Sequence, residues 1–509
     1  MLSRKLLSAA VAAILAVPAT AISADSAEMA EVKRMIEQMK ADYEQKIEAL
    51  EQRLQAAEHK AETAADTAET AKQASTASAA KGLGGFGALT SGTAFNPQMS
   101  VILDGNYYHD DADGEGSELL GMADGISHVH AGGHDHGHSH GDAEQGFNFR
   151  SAELAFSASV DNYFDATALL AIDSGGSVEL EEAWFQTRSL PYGLKIKAGK
   201  FLSDIGYMNN QHPHNWDFTD QNLAYLNLLG GHGLRDTGVQ ATWLPEWDHY
   251  TLFGLEVFQG EQEKLGAVAE VGEHLEEQLD DVLGLTPDAL NLTGENDGPR
   301  LYTAFVKYAP ELGYDHALQF GAWGGWADQH QEIHGEPLTA AQIAAGETPL
   351  HVLEGDGWMW GLDAVYKYDS GGAYGEGDFK LQGEYLWQRK DLNLKYHQTN
   401  PALVGAERKF TEDGLYLQGL YGFAPRWQAG LRYDVVGLTN KLESGGATIR
   451  EWDDSDRWTA GVTWSPTEYS RLRLQYSKAD ITVDGASNDF DYIYLQYMMS
   501  LGSHGAHKF

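Results

Sequence analysis

Residues 471–478 read RLRLQYSK. Leu472, Leu474 and Tyr476 fall on one side of an extended chain and Arg471, Arg473 and Gln475 on the other, because successive strand side chains point to opposite faces. The same alternation recurs in RSAELAFSASV (150–160), FKLQGEYLW (379–387) and WQAGLRYDV (427–435). An apolar face opposed to a charged face, strand after strand, is the pattern of a barrel with lipid outside and water inside. A soluble sandwich would bury its apolar faces and carry short loops at both ends.

Counting such segments from residue 98 predicts about sixteen strands of membrane-spanning length. Among them are 314–327, 357–368, 378–390, 410–422, 469–480 and 489–501. Short links such as Asp161-Asn162 and Ala424-Pro425 alternate with long ones, including 110–146, 204–235, 260–299, 439–455 and 481–488. Periplasmic turns are short and external loops long, so both termini are expected in the periplasm. Trp184, Trp243, Trp360, Trp387, Trp427, Trp458 and Trp464 are expected in interfacial girdles.

The segment before the barrel has a different period. Arg4 and Lys5, the apolar run 6–17 and Ala19-Thr20-Ala21 predict a secretory signal peptide over 1–21. Residues 22–80 contain no Gly or Pro, and Val32, Ile36, Met39, Tyr43, Ile47, Leu50 and Leu54 are spaced by three and four. That seam predicts a periplasmic coiled coil, which needs partner helices and suggests a homotrimer. Residues 81–97 read as a Gly-rich linker and 98–509 as the outer-membrane β-barrel. The expected fold is an all-β transmembrane barrel of about sixteen antiparallel strands with an N-terminal α-helical coiled coil. Its place is the outer membrane of a Gram-negative cell, among outer-membrane lipid.

Charge narrows the partners. Lys and Arg number 35 against 75 Asp and Glu, a net charge of -40. That balance argues against nucleic acid as a partner and favours cations. With no cysteine, thiolate metal sites and disulfides are excluded. No G-x-S-x-G, H-E-x-x-H or P-loop is present, so no enzyme and no required cofactor are expected.

Two loops carry candidate ligands. Residues 127–142, SHVHAGGHDHGHSHGD, hold His128, His130, His134, His136, His138 and His140. Neutral imidazoles without thiols point to Zn²⁺ first, then Ni²⁺, Cu²⁺ or Co²⁺. Alternating H-x-H in a Gly-rich loop offers several registers, hence loose and exchangeable binding that concentrates the ion. The loop 201–236 contains Asp204, His212, His214, Asp217, Asp220, His232 and Asp236.

The motifs SAELAFSASVDNYF, EEAWFQT and LKIKAGKF, within this architecture, resemble the phosphate-selective porin O and P family. The chain is also similar to zinc-regulated outer-membrane proteins with His-rich loops and stretches such as HPHNWDF. The resemblance implies a trimeric diffusion channel. In porins of that size the loop after strand five folds into the lumen. Here it would set a pore constriction at Asp204, Asp217 and Asp220, with His212 and His214 as metal ligands. The family's phosphate members line the lumen with Arg and Lys, and no dense basic ladder is legible in this sequence. The expected function is therefore a porin for diffusive uptake of divalent metal cations, zinc first. A metal-sequestering or metal-sensing barrel with little transport, and a general small-solute porin, are the alternatives.

Overall fold

The computed structural model describes residues 98–124, 143–262, 264–269, 271, 273–294, 298–345, 349–483 and 485–502. The signal peptide, coiled coil and linker expected over 1–97, and the histidine cluster at 128–140, lie outside the described residues.

Eighteen strands form one antiparallel sheet that closes on itself. They are β1 (Gln98–Asp110), β2 (Gly146–Ser159), β3 (Phe164–Ile172), β4 (Val178–Thr187), β5 (Leu194–Leu202) and β6 (Arg235–Trp243). Next come β7 (Tyr250–Phe258), β8 (Leu301–Ala309), β9 (His316–His334), β10 (His351–Tyr368), β11 (Phe379–His397) and β12 (Glu407–Ala424). The last are β13 (Trp427–Val436), β14 (Lys441–Ser444), β15 (Ala447–Glu451), β16 (Ser455–Thr467), β17 (Ser470–Val483) and β18 (Ala486–Gly502). Closure comes from β1, which pairs with β18 on one side and β2 on the other. Strands β13 and β16 pair directly, so β14 and β15 stand above the wall as a hairpin and sixteen strands make the barrel. No helix among the described residues is long and apolar enough to cross a membrane.

Leu362, Leu381, Leu417, Leu431, Leu474 and Leu495 point outward and are exposed. Such a continuous apolar belt requires lipid against it. Trp243, Trp360, Trp427, Trp458 and Trp464 stand exposed on this outer surface. Trp184 corrects the girdle expectation. A β-bulge opposite Leu169/Leu170 leaves Glu181 unpaired and resets the alternation of β4. Trp184 therefore turns inward, where Lys197 Nζ lies 5.8 Å from its ring centre.

Strands β9 to β12 run 18–19 residues, against about 9–11 for a tilted spanning strand. Their upper parts project past the belt. On β11 the outward residues change from Phe379, Leu381, Tyr385 and Trp387 to Arg389, Asp391, Asn393 and Lys395. The inward set changes oppositely, from Gln382, Glu384, Gln388 and Lys390 to Leu392 and Leu394. Above the belt, water lies outside and packed loops lie inside, so the pattern inverts. The expected ends at 390 and 410 thus marked the membrane edge, not the ends of the strands. Likewise, the expected loop 481–488 is mostly strand, with Val483 paired to Ala486.

The long loop after β7 carries the helix α3 (Glu273–Gln278; α1 and α2 are introduced below). Sequence favours a solvated acidic lid there. In the structure Leu275, Leu279 and Leu290 pack on Ile333, Leu350 and Val352, covering the outer side of the β9–β10 projection.

Candidate functional site

The loop joining β5 to β6 folds into the lumen. It does so because it is rich in large apolar side chains: Ile205, Met208, Trp216, Leu223, Tyr225 and Leu228 are all buried in one cluster with Tyr416 and Leu386 of the opposite wall. Within this loop lies α2 (Leu223–Leu228), capped by Asn222, whose side chain accepts from the Tyr225 amide at 2.8 Å. A second short helix, α1 (Gly116–Gly121), follows β1 and touches α2.

Two anchors hold the loop across the lumen. The amides of Tyr207 and Met208 donate to Glu384 of β11 at 3.0 and 2.9 Å. Gly206 sits at φ +58, and a Cβ there would collide with the Glu384 carboxylate and the Tyr225 hydroxyl. The second anchor is Asp220. Its Oδ1 accepts from Arg432 Nη2 at 2.7 Å and its Oδ2 from Arg457 Nη1 at 2.8 Å, and Tyr492 Oη donates at 2.7 Å. Asp434 bonds both arginines at 3.0 and 2.9 Å. All four charged groups are buried, so the two carboxylates neutralise the two guanidinium groups.

Between the anchors, His212-Pro213-His214 runs along the wall of β2 and β4. The β4 bulge points both Glu181 and Glu182 at His212: Nδ1 lies 3.3 Å from Glu181 Oε2 and Nε2 lies 2.5 Å from Glu182 Oε1. His214 Nδ1 lies 2.7 Å from Glu153 Oε2 of β2. The two imidazoles are stacked, 5.8 Å between centres and 1° between planes. Both nitrogens of His212 face carboxylate oxygens, and only an imidazolium donates from both. Glu153, Glu181 and His212 offer ligand atoms all within 4.8 Å of one another. Ligands of a tetrahedral Zn²⁺ stand about 3.3–3.5 Å apart, from bond lengths near 2.0–2.2 Å. A contraction of at most about 1.5 Å would therefore close this cluster on an ion, which would take the place of the imidazolium proton.

No protein-family model matches the chain. It is similar to an uncharacterized protein of Aquifex aeolicus (strain VF5), with 34% identity over 424 residues, spanning 82% of this chain and 80% of that protein. The chain belongs to that protein's family. It is also similar to outer membrane protein S2 of Salmonella typhi, at 25% identity over 236 residues, 42% of this chain and 58% of that one. Among solved structures it is similar to the outer membrane channel DcaP of Acinetobacter baumannii, with a TM-score of 0.44, 13% identity, and 82% and 100% of the two chains covered. A loop-deletion form of OmpT, an outer membrane protein of Vibrio cholerae, gives a TM-score of 0.45 at 12% identity, covering 80% and 100%.

The remaining expected residues have separate surroundings. Asp204 bonds Gln240 at 2.8 Å, Asn210 at 3.0 Å and Lys197 at 3.4 Å. Asp217 bonds Lys380 and Gln418, each at 2.7 Å. Asp220 is the anchor described above. These three do not converge with His212 and His214. Glu153, Glu181 and Glu182 went unmarked in the sequence because strand carboxylates read as ordinary lumen polarity. The Glu181-Glu182 doublet, which breaks the alternation of β4, was the available signal.

The absence of a basic ladder is also corrected. Arg150, Arg432, Arg457, Arg471 and Arg473 come from β2, β13, β16 and β17 and meet inside the lumen. Sequence distance hid them. Much of their bonding holds the loop: Arg150 donates to the Thr219 carbonyl, Arg471 to that of His214 and Arg473 to that of Trp216.

A second histidine group occupies the projection above the belt. Glu332 bonds His330 Nε2 at 2.9 Å, His334 Nε2 at 2.7 Å and Lys390 Nζ at 2.7 Å. Burial, aided by neighbouring His334, holds His351 at about 4. Burial, then Arg408, lowers His397. The unfolded value for His is near 6.5, so the neutral His351 stabilises the fold above that pH, and the gain is lost as pH falls towards 4. In metal-free protein, the amides at 330–334 and 351–354 should lose on the order of 2–3 kcal/mol of opening free energy between pH 7 and 4. Hydrogen exchange corrected for intrinsic rates measures this. Equal protection at both pH values would refute it.

Proposed function

We propose that this protein is an outer-membrane diffusion channel for divalent metal cations, zinc first. The observation that carries the reading is the lumen loop, which sets His212 and His214 against Glu153, Glu181 and Glu182 inside a closed, lipid-belted barrel. Carboxylate and imidazole ligands suit Zn²⁺, and acidic groups in a pore favour cations over anions. In this reading the His-rich loop 128–140 concentrates the ion outside. The long-loop end is external, as in barrels of this type, and a helical seam in 22–80 would assemble a homotrimer. The Salmonella relative's name, an outer membrane protein, agrees with the location.

The test is the zero-current potential of the full mature protein in planar bilayers across a ZnCl₂ gradient. A cation-selective potential that shrinks on deleting residues 126–142 is the expected result. Anion selectivity would overturn the reading, and absence of channels would leave a metal-sequestering barrel. One observation favours a general small-solute channel instead: a cavity of about 210 Å³ is lined by Arg426, Arg471 and Arg473 as well as Asp217 and Asp378. Mixed charge there suits no single ion sign. In that case deletion of 126–142 leaves selectivity unchanged.

A further inference from the structure

We propose that Arg235 sets how tightly the lumen cluster holds a divalent ion. Its guanidinium is a resident cation beside Glu179 and Glu181, and an incoming ion binds against that fixed charge. The inference rests on the reading of this cluster as the channel's metal site, and it adds the residue that keeps the site releasing.

Strand pairing brings Arg235 there. The ladder between β4 and β5 runs only from Ala183, opposite Lys200, to Gln186, opposite Lys197. The β4 residues before Ala183 therefore have no β5 partner, and Arg235 opens β6 just beyond, opposite Leu202 of β5. Its side chain reaches across to β4 and is only 8% exposed. There Nη2 donates to Glu179 Oε1, and Nη1 lies 3.7 Å from Glu181 Oε1. The other oxygen of Glu181 lies 3.3 Å from His212 Nδ1. Glu181, itself 1% exposed, thus stands between a permanent cation and a titratable one. A close charge-assisted pair measures about 2.7–2.9 Å. At 3.7 Å, Arg235 supplies Glu181 with charge rather than with a tight hydrogen bond.

The balance of charge gives this contact its weight. Glu153 of β2 and Glu179, Glu181 and Glu182 of β4 bring four carboxylates to one patch of wall. A pore site must attract an ion yet be weak enough to release it. His212 does not supply the counterweight, since it gives up its proton to ligate. Arginine does, because it stays charged and offers no lone pair to a metal. An ion bonded to Glu181 at about 2.0–2.2 Å stands within roughly 6–8 Å of Nη1. Even at the dielectric constant of water, a unit charge at that range lowers affinity for a divalent ion about six- to tenfold. A drier lumen strengthens the effect. A monovalent ion feels half the repulsion, so Arg235 also narrows the preference for divalent over monovalent cations.

The test is ZnCl₂ binding by the full mature chain in detergent, carrying Asn in place of His128, His130, His134, His136, His138 and His140. The lumen ion is the one that His212→Asn removes. Equilibrium dialysis should show Arg235→Gln holding that ion about tenfold or more tightly than the parent, and Zn²⁺ block of a bilayer current should last correspondingly longer. Arg235→Lys restores the charge and should return the affinity towards the parental value. A purely structural arginine would weaken the site when lost, not tighten it. Adding Glu181→Gln to Arg235→Gln should lose the gained affinity, which places the ion in this cluster. Heat-modifiable migration in detergent gels checks folding, and if Arg235→Gln does not fold, Arg235→Met, which keeps an apolar stem, decides. A lumen ion held by the parent and held no more tightly by the folded variant overturns the role of Arg235 and leaves the channel reading standing. A lumen ion gained only in the variant supports it, and no lumen ion in either chain overturns both.

Discussion

Replacing Asp220 with asparagine should release the lumen loop from the barrel wall. The substitution keeps the shape but removes one of two carboxylates facing Arg432 and Arg457. Asp434 alone then neutralises two buried guanidinium groups. Breaking a buried pair by removing one partner costs about 3–5 kcal/mol. The wall itself is held by strand-to-strand hydrogen bonds and should survive, so the cost falls on the loop. Amides over 216–225 should lose protection in hydrogen exchange, and single-channel conductance should rise and become noisier. Asp204→Asn should do much less, since Asp204 is only partly buried and bonds mainly neutral amides. An Asp220→Asn channel with wild-type conductance and protection would show that the aromatic packing alone holds the loop.

The second large effect is expected from Glu181→Gln combined with Glu182→Gln. Both carboxylates that flank His212 are then neutral, while the hydrogen-bonding shape is kept. Loss of one ligand and one orienting group should weaken zinc binding in the lumen at least about tenfold. Block of a monovalent current by added ZnCl₂ measures it. In the unmodified protein the same block should weaken as pH falls, because the ion must displace a proton from His212. A double variant blocked as strongly as the parent would place the zinc contact elsewhere.

The barrel was legible because lipid imposes a strict rule on one face of every strand. Leu472, Leu474 and Tyr476 on one side, with Arg471, Arg473 and Gln475 on the other, need no tertiary knowledge to interpret. Where lipid ends, so does the rule. Arg389 and Asp391 point out and Leu392 and Leu394 point in, so the upper parts of β9–β12 read as loop. The hairpin β14–β15 was likewise invisible, since its outer strand is exposed throughout. The lumen cluster was half legible. His212 and His214 stand out in a polar loop, but a one-residue bulge decides that Glu181 and Glu182 face them, and the only trace of that bulge in the sequence is the carboxylate doublet that breaks the alternation of β4. The arginines escaped notice because Arg150 and Arg473 become neighbours only through the meeting of β17, β18, β1 and β2.

That meeting also governs how the molecule can be made. Ser100 lies opposite Gly502, and Asp110 opposite Tyr492. The first strand can pair with β2 early, but its other edge finds no partner until the last strand has been synthesised and delivered. Until then each has one edge of unpaired backbone, an open template for other chains. Contacts of such sequence separation also form slowly. The chain must therefore be kept apart from its copies during transit, and its insertion is in effect a single late event, sealed by the seam between β1 and β18.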